Sequence, residues 1–377
     1  MIIREFPVDL QLNYSFGQEY DLNRMVFFDI ETTGLDAKTS YLYLIGCIYI
    51  KEASFHLIQW FSEGIEEEIR LIRAFFEFIQ DYDVLIHYNG AGFDVPYLLK
   101  KCRQFHLNYN FDHMESLDLY KKITPYKKLL KLSNYKQKTV ENFLKIARKD
   151  VYSGGDLIEV YQSYLGKRNI EHLKKSRLKA TKENPSSEAE ELLDLLLLHN
   201  EDDLKGLVGI SSILHYVDLF EKPFHILQAL VEGEYFIIQL KLHSMLPSRI
   251  SCGNEIIQFR ADGSEASLYI KIFEGELKHF YDNYKDYFYL PKEDSVVHKS
   301  LAIYVEKEFR EKAKPANCYI KKTGIFVPQF EPLMTPYFKE NLKDKTTYLQ
   351  VHTDSLLQEE NLIKYVKHIF HHLNKLK

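Results

Sequence analysis

MVFFDIETTGL, residues 25–35, is the stretch that decides the fold. Met25 to Ile30 is apolar except for Asp29 and reads as a buried strand, with a turn following at Thr32-Thr33-Gly34. Asp29 and Glu31 are two apart on that strand, so both side chains leave the same face. Two carboxylates held side by side repel, and such a pair persists most easily where a divalent cation neutralises it. The plainer account is a strand end with two solvated acids. Against it stand the apolar strand that delivers the acids and the glycine turn beyond them, which suits close approach of backbone to a ligand.

Working outward, Tyr41 to Ile50 and Ser54 to Trp60 read as two further strands. The period then changes. Ile69, Ile72, Phe75, Phe76 and Ile79 recur at helical spacing within Ile65 to Gln80, and Glu66, Glu67 and Glu68 fill the first turn, where the helix dipole favours acids. Val84 to His87 reads as a short strand, Val95 to Gln104 as a helix and Ser116 to Leu119 as a strand end. Three consecutive strands followed by alternating helix and strand describe an α/β fold, a mixed sheet flanked by helices.

A helix is expected from about Glu188, capped by serines of Asn184 to Ser187, through ELLDLLLLHNEDDLKGL to about Leu214. Lys222-Pro223 marks a boundary. Beyond it the expected strands are Glu234 to Leu246, Glu255 to Arg260 and Ala266 to Phe273, with a tyrosine-rich stretch from Phe280 to Tyr289 and helices near Val296 to Lys312 and Glu359 to Leu376. The expected organisation is an extension at 1–24, a first domain at 25–215 and a second, smaller α/β domain at 216–377.

Two further motifs carry polar chemistry. HYNGAGFD, residues 87–94, ends a strand, turns through glycines and places Asp94 at the start of a helix, where an ordinary N-cap is the simpler account. HNEDD, residues 199–203, puts His199 and Asp203 on one helical face at i and i+4, and a polar face closing an apolar helix accounts well for Glu201 and Asp202.

Three separated motifs in order, D-x-E on a first strand, N-x-x-x-F-D some sixty residues on and a helical H-x-x-x-D about a hundred after that, resemble those of the DEDD superfamily of 3′-5′ exonucleases on a ribonuclease-H-like fold. More narrowly, FFDIETTGL and HNEDDL look like the bacterial ribonuclease-H-like domain-containing proteins. The resemblance covers about residues 25 to 215. It implies that Asp29, Glu31, Asp94 and Asp203 hold two Mg²⁺ or Mn²⁺ ions, with Asp29 bridging them. One ion would generate the attacking nucleophile and the other would stabilise the leaving 3′ oxygen. It also implies that Thr32, Thr33, Gly34 and Leu35 meet the terminal nucleotide through backbone amides and an apolar wedge, with Asn89 beside them. A tight turn with a buried leucine accounts for this segment equally well, and Asp118 fits an N-cap better than a site role.

His199 departs from the pattern. It occupies the spacing of the tyrosine-type branch, four before the last Asp, whereas the histidine-type branch places its His five before, where Leu198 stands. Imidazole can orient a water as a phenol does and can also accept its proton, an effect of about 10² to 10⁴ in rate where general-base catalysis applies.

Four acids in one cleft repel a phosphate chain, so a cationic surface is expected nearby. The basic runs Lys121 to Lys149 and His172 to Lys182 are the candidates, and the interleaved Tyr120, Tyr126, Tyr135 and Phe143 could stack bases at about 1–3 kcal/mol each. Solvated lysine faces explain such runs as readily. The expected partner is the 3′ end of single-stranded DNA or RNA.

Composition bounds these readings. With 377 residues, 45% hydrophobic and 14% aromatic, the chain buries a full core, which excludes disorder and fibrous classes. A net charge of −5 argues against a protein that coats nucleic acid by bulk charge. Cys47, Cys102, Cys252 and Cys318 lie far apart and fit reduced thiols of the cytoplasm rather than a disulfide framework or zinc knuckle. Arg4, Glu5 and Asp9 interrupt any signal-peptide core, and the longest apolar stretch is about half a membrane span, so no membrane association is expected. The competing readings are a nucleic-acid-binding scaffold that keeps the fold without turnover, and a metal-dependent endonuclease.

Overall fold

The computed structural model describes residues 1–17, 20–150, 152, 154–177, 188–351 and 356–375. The serine loop expected to cap at 184–187 and the end of the second basic run, from 178, lie outside them. Contacts divide the chain into two compact units, Met1–Pro125 with Leu132–Val217, and Tyr126–Lys131 with Asp218–Lys377.

The first unit is built on a six-stranded mixed sheet. Its strands are β1 (Ile2–Val8), β2 (Met25–Thr32), β3 (Leu42–Lys51), β4 (Ser54–Phe61), β5 (Val84–His87) and β6 (Glu115–Asp118), in the order β1-β4-β3-β2-β5-β6. The strands from β1 to β2 pair antiparallel, and β5 and β6 continue parallel to β2. β1 falls inside the segment expected as an extension. It is the sheet's edge, half-buried on one face and exposed on the other, with the adjacent Arg4 and Glu5 on opposite faces, which is why its composition did not read as a core strand.

Helices α1 (Glu68–Phe78) and α2 (Asp94–Gln104) cover one side, where Val26, Phe28 and Ile30 of β2 share a core with Leu71, Ile72, Phe75, Leu98 and Cys102. Helices α3 (Gln137–Leu144), α4 (Gly154–Arg177) and α5 (Glu188–Ile210) follow. Leu157, Tyr161 and Tyr164 of α4 and Leu193 and Leu196 of α5 pack with Tyr43 and Phe61 on the other side. Since alternate residues of β2 face α1 and α2, Asp29 and Glu31 project toward α5.

The second unit is mainly β. A five-stranded antiparallel sheet runs β7 (His225–Glu232), β8 (Tyr235–Lys241), β11 (Glu265–Lys271), β10 (Ile257–Asp262), β9 (Ile250–Gly253), and Phe370 of α6 (Glu359–Lys375) packs on it against Phe259. Two three-stranded sheets complete it. One joins β12 (Phe273–Phe280), β16 (Tyr319–Gln329) and β17 (Thr347–Gln350); the other joins β14 (Ser295–His298), β13 (Tyr287–Leu290) and β15 (Glu311–Lys312). The helix expected near Val296 to Lys312 is a strand, a single helical turn at Lys299–Ala302 and a second short strand. Val297 and Val296 pair across from Phe288 and Tyr289, and such β-branched and aromatic pairs favour the ladder over the helix.

All four cysteines are buried and free. Among the described residues no helix is long and apolar enough to cross a membrane.

Candidate active site

Asp29 sits opposite Gly46 in the β2–β3 ladder. A Cβ on Gly46 would stand 2.0 Å from Oδ1 of Asn200, so the missing side chain is what lets α5 lie close over the strand. Asn200, fully buried, donates from Nδ2 to Oδ2 of Asp29 at 3.1 Å, while its Oδ1 accepts from Gln59 at 3.0 Å. The contact joins residues 171 apart in sequence. One residue earlier on α5, His199 turns Nε2 to 3.6 Å from Glu31 Oε1 and 3.2 Å from Asp203 Oδ2. Ligand atoms of Glu31, His199 and Asp203 lie within 4.8 Å of one another, a spacing that could hold a metal ion.

Asp94 reaches the same place from the first turn of α2, and its carboxylate is held by backbone N–H groups, that of Ile30 in β2 among them. It is the first helical residue and not the N-cap, which is Phe93.

Burial and mutual repulsion press on these acids. Burial first, then the charges of Glu31, Asp203 and Asp94, push the Asp29 carboxyl well above the ordinary range. Burial outweighs the opposing His199 charge and pushes Glu31 up to about 8, and burial pushes Asp94 up to about 7 despite its backbone hydrogen bonds. Asp203 is different. Burial works against its charge too, but the His199 hydrogen bond and Arg148 hold its carboxyl below the usual value. Three carboxyl groups that resist ionisation together, with all-oxygen donors, are the set that a hard divalent cation such as Mg²⁺ or Mn²⁺ would relieve.

Sequence reasoning missed the ring of groups around Asp203. Arg148 Nη2 lies 2.6 Å from Asp203 Oδ1, while its Nη1 is 2.9 Å from each oxygen of Glu141, a fully buried carboxylate seated where a Cβ on Gly206 would stand 2.0 Å from its Oε1. Asp150 accepts from His199 Nδ1 at 2.6 Å and lies 3.4 Å from Lys138. Burial disfavours the imidazolium, yet the Asp203 hydrogen bond and the charges of Glu31, Asp203 and Asp150 raise His199 to about 9. Arg148 and Lys138 belong to the run expected to track phosphates, and both are engaged with acids of this unit. The signal that could have found them is Glu141 and Asp150 standing among the cations of that run.

The aromatic side chains of the run are also engaged. Tyr126 stacks on Phe220 at 4.6 Å, Phe143 meets Tyr216 and Tyr120 meets Tyr88 edge-on. Asp118 accepts from the amides of Asn89 at 2.9 Å and Lys121 at 3.2 Å, capping the short helix Leu119–Ile123.

The turn after β2 is close to the site. Thr32 Oγ1 donates to the Gly34 carbonyl at 2.9 Å, the Thr33 amide donates to the Tyr41 carbonyl, and Leu35 at the tip is 84% exposed, not buried. Asn89 is exposed and adopts a left-handed φ of 61°.

The family model described as the RNase_H superfamily matches residues 26–214, from β2 past the end of α5. The chain belongs to the RNase_H superfamily. That span contains Asp29, Glu31, Asp94, His199 and Asp203, together with Glu141, Arg148 and Asp150. No curated protein matches the chain. Among solved structures, the chain is similar to the family B DNA polymerase from the hyperthermophilic archaeon Pyrobaculum calidifontis, with 16% identity and a TM-score of 0.40, over 58% of this chain and 29% of that one.

Proposed function

We propose that this RNase_H superfamily chain is a metal-dependent 3′-5′ exonuclease that hydrolyses phosphodiester bonds of single-stranded nucleic acid. The observation that carries the reading is the convergence of Asp29, Glu31, Asp94 and Asp203 from β2, α2 and α5, each pressing electrostatically on others of the set. These four would hold two divalent ions, Mg²⁺ or Mn²⁺, which supply nucleophile activation and stabilisation of the departing oxygen.

The chain's own groups divide the remaining work. His199, hinged on Asp150 through Nδ1, turns Nε2 toward the acids, where it orients the attacking water; it could take that water's proton only from its neutral form, which cations beside Glu31 and Asp203 would favour over the imidazolium. Asn200 fixes the rotamer of Asp29, and Arg148 that of Asp203. The exposed Leu35 wedges against the terminal base, Thr32, Thr33 and Gly34 offer backbone to the terminal nucleotide, and Asn89 borders the strand.

One assay tests this. With Mn²⁺ or Mg²⁺, 5′-labelled single strands should give a ladder shortened from the 3′ end, abolished by EDTA and by Asp29→Ala. Binding without shortening would favour a scaffold, and cleavage of a closed circle an endonuclease.

A further inference from the structure

Lys101, in α2, is 1% exposed, and Glu68, the first residue of α1, is 2% exposed. Their charged groups meet at 2.8 Å between Nζ and Oε1. A buried ion pair is seldom the most stabilising choice, since apolar residues of similar volume often do as well or better. What this pair touches explains its presence. Lys101 Nζ donates to the Ser40 carbonyl at 2.6 Å, and Glu68 Oε1 accepts from the Leu42 amide at 2.8 Å. Both backbone groups flank Tyr41, at the far end of the 33–41 loop.

The β2–β3 ladder shifts register between Glu31 and Thr32, and the pair meets backbone polarity at this irregularity. Ser40 carries the grip to the other limb of the loop. Its hydroxyl lies 3.0 Å from the Gly34 carbonyl, 2.7 Å from the Asp36 carbonyl and 2.8 Å from the Tyr97 hydroxyl. The rings of Tyr41, Tyr97 and Phe105 surround Nζ at 5.5 to 5.7 Å.

We infer that Lys101 and Glu68 are positioning residues for the strand end: they latch the 33–41 loop to α2 and so set where the exposed Leu35 stands. Asp94 and Lys101 are seven residues apart on one face of that helix, so the same rigid element carries an acid of the site and the grip on the loop. The inference rests on the exonuclease reading only in assigning Leu35 to the terminal nucleotide.

The test uses the full chain with Lys101→Met and the paired Lys101→Met/Glu68→Leu, the second keeping the protein foldable by leaving no orphaned charge. The double variant should melt near the wild type, while the amides of Thr33, Ser40 and Leu42 exchange hydrogen about tenfold faster. Affinity for a fluorescent single-stranded oligonucleotide, measured in Ca²⁺, should fall about tenfold, and Leu35→Ala should fall equally and add nothing in the triple variant. Unchanged loop exchange in a folded double variant overturns the latch, as does faster exchange with unaltered affinity. Absence of a cleavage ladder from the wild type would instead remove the exonuclease reading and with it the affinity arm, while the loop exchange alone still decides the latch.

Discussion

Asp203 meets Arg148 at 2.6 Å and the imidazole of His199 at 3.2 Å, and its carboxyl stays below the usual range. A short distance away, Asp29 receives an amide from Asn200, Asp94 receives backbone N–H groups, and both are pushed up, with Glu31 beside them. The α5 half of the cluster brings its own cations, whereas the β2 and α2 half faces its charge with neutral dipoles. The difference teaches that side chains can neutralise one member of a carboxylate cluster while the others are left to repel one another, which makes the uncompensated half the place where a divalent cation would relieve most.

The largest expected effect is on turnover. Asp29→Asn should reduce phosphodiester cleavage by about 10³-fold or more, since several kcal/mol of charge stabilisation depend on that oxygen. In EDTA at about pH 9 the same variant should melt higher than the wild type, because it removes a member of the unbalanced half, whereas Asp203→Asn should melt lower by removing one of the carboxylates that pair with Arg148 and His199. Equal melting shifts for the two would break the comparison.

Next comes His199→Ala, expected to lower single-turnover rates by about 10² to 10⁴ while metal affinity changes far less. His199→Tyr should retain appreciable activity. Equal rates for wild type and the alanine variant would remove the residue from the mechanism.

Arg148→Met should destabilise the fold by about 3–5 kcal/mol in denaturant titration, since Glu141 is left buried and unpaired, and Glu141→Gln in the same chain should restore much of it. Additive losses would mean that the two do not act as a pair.

The gentlest effect is a pH slope. In the metal-free protein Glu31 and Asp94 keep their protons up to about 8 and about 7, while the unfolded chain loses them near the ordinary carboxylate range. Their contribution to stability is full below the unfolded value and is lost as pH rises through the folded one. His199, raised to about 9, adds stability that disappears over its own higher window. The melting temperature should therefore decline from about pH 5 to about pH 9, and Mn²⁺ should flatten that decline.

Much of this was legible in the chain. β5 spans Val84–His87, the short strand that the apolar Val84, Leu85 and Ile86 predict, and α5 begins at Glu188 as expected. The acids were legible because period-two and i, i+4 spacing fix which side chains share a face. Asn200, Arg148 and Asp150 were not, because their roles come from tertiary approach. Nothing local distinguishes Gly46, where a helix nests, from a strand glycine of another kind, and for Leu35 an exposed wedge and a buried turn residue read equally well because apolarity says nothing about which way a tip points. In the second unit, helical spacing around Val296 to Lys312 gave way to cross-strand pairing that only the partner strand reveals.

The hydrogen bond from Asn200 to Asp29 has a consequence for biosynthesis. At about 5–20 residues per second, the ribosome needs roughly ten to thirty seconds after making Asp29 to supply Asn200. Throughout that interval the nascent sheet carries its acids without the helix that completes the cluster. The side chains that converge in the finished fold are thus complete only once synthesis has passed Asp203, beyond the midpoint of the 377-residue chain.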